Sequence, residues 1–231
     1  MKNLTKVVQR FISNKEITHR YHSFDLCYSH FRQTKEKLAD NMPSKQQIEQ
    51  SCYVLWGYLA SWGMLRNSFL LECNPAYLKP LVQWIYQQDN AVWKLDVADY
   101  LDKKEEIIRL YKEVEDKVKP KEWKEDKSVS ETLITKILLG VFAVTPAYDR
   151  FFRLTFTALA KSNKKKLGKF ENSLAFIHQF YQDNQAEIDR LSQSIIVRDF
   201  DGKPMKYHYS KAKILDMYGF LASYEPTSSD E

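Results

Sequence analysis

Apolar residues recur along most of this chain at the three- and four-residue steps of amphipathic helices. Leu4, Val7, Val8, Phe11 and Ile12 predict a short helix over residues 4–13, and Phe24, Cys27, Tyr28 and Phe31 a second over about 23–38. A break at 39–43 precedes Ser44 and Gln47, which have the spacing of a capping box. The helix it opens sets Ile48, Cys52, Leu55, Leu59 and Trp62 at steps of 4, 3, 4 and 3, a narrow core-facing seam. One further step of 4 puts Arg66 on the same stripe, unless Gly63 ends the helix first. A guanidinium on an apolar face requires a carboxylate partner, and Asp149 is the first candidate.

Asn74-Pro75 starts another helix with Leu78, Leu81, Val82 and Ile85 inward, and residues 95–118 read as charged amphipathic helices with pairs such as Glu113 and Lys117. Residues 119–127, KPKEWKEDK, form the best linker and the one point for a subdivision. Ser128 and Glu131 read as a second capping box. It opens residues 132–159, where two strongly apolar runs meet at a Thr145-Pro146 break. Residues 170–194 give one long helix or two shorter ones. Asp201-Gly202 predicts a small hairpin within 195–209, the only strand signal. Ser210 caps a last helix carrying Ile214, Leu215, Tyr218 and Leu221, and residues 225–231 read as a disordered acidic tail. The expectation is an all-α fold, a single domain over 1–224 with about nine or ten helices and at most one small hairpin.

Composition supports this. Six Gly and seven Pro are too few for the turns of a many-stranded sheet, and 44% hydrophobic residues exclude wholesale disorder. The formal charge of +5, from 35 basic and 30 acidic residues, is a mild excess that names no partner. Cys27, Cys52 and Cys73 lie in no CxxC pair and read as free thiols of a reducing cytoplasm. The N-terminal residues lack the uninterrupted apolar run of a secretory signal. The uncharged stretch 50–65 is 16 residues long, short of the roughly 18–20 that span hydrocarbon. A cytoplasmic protein without a membrane partner is expected.

Candidate chemistry gathers after the Thr145-Pro146 break. Thr as N-cap, Pro at the first helical position and Asp in the first turn explain a helix start without function. The functional alternative makes Asp149, partly desolvated between Tyr148, Phe151 and Phe152, a general base or a ligand for a cationic group, with Tyr148, Arg150 and Lys136 beside it. A second candidate is the loop 161–169, in which Lys161, Lys164, Lys165, Lys166 and Lys169 place five positive charges in nine residues, a field able to hold phosphates. His19, His22 and His30 have no chelating spacing and read as surface or capping residues. No HExxH, nucleophile elbow or Gly-rich phosphate loop occurs, so no metal or cofactor is expected.

The segment Thr135-Lys136-Ile137-Leu138-Leu139, followed by Pro146-Ala147-Tyr148-Asp149-Arg150 and later Lys213-Ile214-Leu215-Asp216-Met217, resembles helix-hairpin-helix DNA glycosylases. In those proteins a helix, a proline-containing loop and a helix-opening aspartate build the base-excision site, and the resemblance implies that Asp149 matches the catalytic aspartate. The family's Gly-rich DNA-gripping hairpin is absent: KEDKSVSETLI, before Thr135, contains no glycine. Over most of its length the chain also resembles a group of bacterial helical proteins of unassigned function. Tyr58-Leu59-Ala60-Ser61-Trp62-Gly63-Met64, Arg66, Ser68-Phe69-Leu70-Leu71 and residues 134–152 carry that resemblance, which implies a bacterial, cytoplasmic, helical protein.

The functional expectation is a bacterial cytoplasmic nucleic-acid-associated protein using the 161–169 loop, with Asp149 and Arg150 lining an adjacent cleft. One alternative is a protein–protein interaction or regulatory module with an aromatic surface around Trp84, Trp93 and Trp123. The other is an enzyme centred on Asp149 with Tyr148 and Lys136. The sequence assigns no oligomeric state.

Overall fold

Side-chain caps set the start of five of the ten α-helices among the described residues. In the computed structural model, which describes residues 2–14, 16–39, 41–66, 68–124 and 126–224, Asn3 opens α1 (Leu4–Ser13) by accepting from the Lys6 amide. The helix α2 (Ser23–Leu38) follows. Ser44 and Gln47 form the expected reciprocal box at the start of α3 (Lys45–Ser61). Gly63, with φ of 73°, turns the chain into the left-handed region just beyond Trp62 and ends the α3 stripe there. Then come α4 (Lys79–Gln87), α5 (Lys104–Val118), α6 (Glu131–Phe142), α7 (Arg150–Ser162), α8 (Phe170–Asp183) and α9 (Gln185–Ser194). Strands β1 (Ile196–Arg198) and β2 (Pro204–His208) pair antiparallel as the predicted hairpin, and α10 (Lys211–Ser223) closes the order. The fold is all-α, with ten α-helices among the described residues. The tail expected at 225–231 lies outside them.

Several boundaries differ from expectation. Residues 170–194 form two helices, and 95–103 hold a short 3-10 turn before α5 begins. The cap of α6 is Ser130, which accepts from the Leu133 amide, so the second box does not start at Ser128. Thr145 caps no helix. The chain leaves α6 through Ala143, at φ of 54°, and runs irregularly until Asp149 caps α7.

That irregular run is buried from residue 143 to 148, where backbone polar groups must find partners other than water. They come from distant elements. The Tyr148 amide donates to Thr135 Oγ1 at 2.9 Å, the Thr132 hydroxyl donates to the Tyr148 carbonyl, and the Tyr100 hydroxyl donates to the Val144 carbonyl. The Ala147 amide donates to Asp216 Oδ1 at 3.1 Å.

At the centre lies α10, buried at every position from Ala212 to Ala222. It packs most closely on α7 and also on α1 and α9, while α6 lies against α2, α3 and α5. Elements on both sides of the 119–127 linker therefore share one core. Two glycines set the closest approaches. A Cβ at Gly219 would lie 2.3 Å from the Phe152 ring, and one at Gly140 would lie 2.4 Å from the Tyr58 ring. No helix among the described residues is long and apolar enough to cross a membrane.

Candidate functional site

Asp149 is held from two directions. Its Oδ1 accepts the amides of Phe151 (3.1 Å) and Phe152 (3.0 Å), the ordinary work of an N-cap. Its Oδ2 accepts from Lys136 Nζ at 3.2 Å. The Lys136 side chain is 2% exposed and that of Asp149 15%. Three donors thus occupy the carboxylate, one of them a buried lysine. Lys136 is the one candidate cation that the structure brings to Asp149. Arg66 is kept away: the Gly63 turn carries it off the α3 stripe into solvent, where it forms no ion pair among the described residues.

A second pair lies deeper. Lys213 Nζ donates to Asp216 Oδ2 at 2.7 Å, with both side chains almost fully buried. The two pairs share the Trp62 ring, whose centroid is 4.1 Å from Lys136 Nζ and 5.9 Å from Lys213 Nζ. Burial pushes the Lys213 ammonium below the ordinary lysine range, with Asp216 opposing that shift and Lys136 adding to it. The Tyr58 hydroxyl is buried without a hydrogen-bond partner among the described residues, as is Trp62 Nε1. Burial, then Asp216, Cys27 and Asp149, raise the Tyr58 hydroxyl well above the usual phenol range. On the outer side, the Arg20 guanidinium sits 5.3 Å from the Trp62 centroid.

The other predicted members separate. Tyr148 does not wall the site: it is buried and its hydroxyl pairs with Ser173 Oγ at 2.7 Å. Arg150 is exposed at the first position of α7 and forms no ion pair among the described residues. Lys161, Lys164, Lys165, Lys166 and Lys169 are all exposed, again with no carboxylate partner among the described residues. Buried Leu167 pins the loop, and its end is fixed where Arg153 donates to the Gly168 carbonyl and the Phe170 amide donates to Glu131. Asp149 caps one end of the 13-residue α7 and Lys161 lies at the other, about 18 Å away at 1.5 Å per residue, while the far end of the loop returns toward the start of α7 through its Gly168 and Phe170 contacts.

Of the histidines, His19 caps a 3-10 turn. His22, expected near the surface, is buried, with Nε2 2.9 Å from the Asp199 carbonyl and Nδ1 3.8 Å from Asp25. Burial lowers the His30 pKa, and its Nε2 meets Ser51 Oγ. Cys27 and Cys52 are buried thiols, the latter pushed up to about 11 by burial. The described residues contain no group of three or more metal-ligating side chains. Trp84 and Trp93 belong to the core, not to an aromatic surface, and Trp123 is partly buried against it. No family model, curated protein or solved structure matches the chain.

Two features escaped sequence reasoning. Lys213 and Asp216 interrupt an otherwise apolar helix three residues apart, a visible sign of an internal pair. The contact between Arg32 on α2 and Trp93 has no local signature.

Proposed function

We propose that this chain is a nucleic-acid-associated protein of the bacterial cytoplasm, binding through the 161–169 loop. The observation that supports the reading is that five lysines in nine residues are exposed and none is neutralised by a carboxylate among the described residues. Such a field attracts phosphates at long range and gains affinity by releasing their counterions. Arg150 adds an unpaired cation at the opposite end of α7. Free Cys27, Cys52 and Cys73 suit a reducing compartment. The three donors on Asp149 weigh against the enzymatic alternative, and the burial of Trp84 and Trp93 against the aromatic-surface alternative.

Fluorescence anisotropy with a labelled single strand, its duplex and the matching RNA, from about 50 to 200 mM salt, tests this. Binding is expected to weaken linearly in log–log form. Changing Lys161, Lys164, Lys165, Lys166 and Lys169 to Gln together is expected to flatten the slope by about 0.7–0.9 per lost phosphate contact. Absent binding at low salt, or an unchanged slope in the variant, overturns the proposal.

A further inference from the structure

Residues 150–170 hold seven basic side chains and no acidic one, so the positive run begins before the lysine loop, within α7. Arg150, Leu154, Ala158 and Lys161 are all exposed and recur at steps of 4, 4 and 3, which places them on one stripe of that helix. Phe152, Phe156 and Ala160 take the other side of α7 into the core. From Arg150 to Lys161 the stripe measures about 17 Å at 1.5 Å per residue.

The loop lies alongside it. The Lys165 amide donates back to the Ala160 carbonyl at 2.8 Å, Leu167 is buried, and Arg153 donates to the Gly168 carbonyl at 3.1 Å. Gly168 is thus tied one turn from Arg150, and the loop doubles back beside α7 as a strap. Three carboxylates border this face, and each is already engaged. Lys136 holds Asp149, Arg153 and the Phe170 amide hold Glu131, and Lys112 holds Glu171 at 3.2 Å. Asp149 also takes the Phe151 and Phe152 amides, so side chains and not the helix end supply the positive field. Arg150 and the five lysines of the strap face outward with no carboxylate partner among the described residues.

We propose that a nucleic-acid duplex lies along this face of α7, its phosphates held by the lysine strap and by Arg150 without regard to sequence. This footprint rests on the nucleic-acid reading of the 161–169 loop and extends it to the whole of α7. Phosphates recur about every 3.4 Å along each strand of a duplex, so the stripe spans about five of them. A single strand fits less well, because sites for it stack bases on exposed rings. The stripe between Arg150 and Lys161 exposes no ring, and Phe151 is half-buried against Phe220 and Tyr224. Leu154 and Ala158 offer the bases neither an amide nor a guanidinium, so phosphate contacts dominate and sequence goes unread.

The test is fluorescence anisotropy on the full chain at about 100 mM salt, with two labelled DNA duplexes of unrelated sequence and their component single strands. Leu154→Glu puts a carboxylate in the middle of the stripe and removes no cation. Tyr53→Glu makes the same change of charge at a comparably exposed site on α3. Both positions are at least half-exposed, so both variants are expected to fold, which thermal unfolding checks. The parent is expected to bind the two duplexes equally and more tightly than either strand. Leu154→Glu is expected to lose at least about tenfold by direct repulsion of phosphates, and Tyr53→Glu less than about twofold, because salt screens a charge placed off the footprint. Arg150→Gln is expected to lower the salt slope on duplex by about 0.9. If the parent binds but Leu154→Glu and Arg150→Gln both behave as Tyr53→Glu does, the α7 footprint is wrong and the loop reading stands. Tighter binding of the single strands overturns the duplex. A parent that binds none of these probes defeats the loop reading and the footprint with it.

Discussion

Replacing Asp149 by Asn separates the ion pair from the helix cap. Asn is as good an N-cap as Asp, so Asp149→Asn keeps an acceptor for the Phe151 and Phe152 amides and removes only the charge facing Lys136. With its oxygen on those amides, the new NH2 group faces the Lys136 ammonium, donor against donor. Breaking a buried pair from one side costs about 3–5 kcal/mol. Here the loss is smaller, because the carboxylate is 15% exposed and the Trp62 ring, 4.1 Å from the ammonium, stays in place. We expect about 2–4 kcal/mol, and at about 2–4 °C per kcal/mol a Tm lower by roughly 4–16 °C. Lys136→Met leaves the carboxylate with two amide donors and partial solvent access, and costs less than about 1.5 kcal/mol. The double variant then recovers most of the Asp149→Asn loss, a coupling of at least about 1.5 kcal/mol. Urea unfolding followed by circular dichroism at pH 7 measures all four proteins. An Asp149→Asn loss under about 0.5 kcal/mol, or strict additivity in the double variant, refutes the claim that this pair is an internal structural contact.

Two glycines give opposite signs for the same substitution. Gly219→Ala places a methyl 2.3 Å from Phe152, between α10 and α7, and is expected to cost about 1–3 kcal/mol despite the better helix propensity of Ala. Gly57→Ala, on α3 with nothing within 4 Å, gains about 0.5–1 kcal/mol by thermal unfolding. The Asp96 carboxyl is pushed up to about 6 by burial, although the amides of Val97, Lys211 and Ala212 donate to it and pull the other way. The folded state then holds a proton that the unfolded chain releases near pH 3.9, so this contribution is full below about pH 4 and is lost as pH rises to about 6. Its size is up to about 3 kcal/mol, read from urea unfolding as the stability of the parent minus that of Asp96→Asn, which is expected to fall from pH 4 to 7; a parent that gains on the variant as pH rises contradicts the assignment.

How much of this was legible followed the range of the forces involved. The start of α3, the extent of α1 and the Asp201-Gly202 hairpin were readable because caps and turns act over three or four residues. The Thr145-Pro146 break was located correctly, but its form was not. Thr145 looks like an N-cap locally, and the backbone there is instead satisfied by Thr135, Tyr100 and Asp216, which no local rule brings together. The same limit separated the charges. The Lys136–Asp149 pair spans the break, so the two residues appeared as neighbours of one motif, while Arg66 was misplaced because a left-handed Gly63 redirects the chain. The lysine loop needed only charge density to be noticed, and its exposure follows from the cost of burying ammonium groups. Arg32 and Trp93 meet only through the packing of α2 on the segment that follows α4.

The burial of α10 has a consequence for how the chain is made. Its docking channel is built from helices that leave the ribosome earlier, with α1 first and α7 complete by residue 162. At about 5–20 residues per second, the stretch from there to residue 223 takes roughly 3–12 s to synthesise. During that interval the faces of α1 and α7 that will clasp α10 present bare Phe, Leu and Val side chains to solvent. Nascent chains of this protein should therefore associate with holding chaperones until the last helix arrives, and the window should lengthen wherever translation slows between residues 163 and 223.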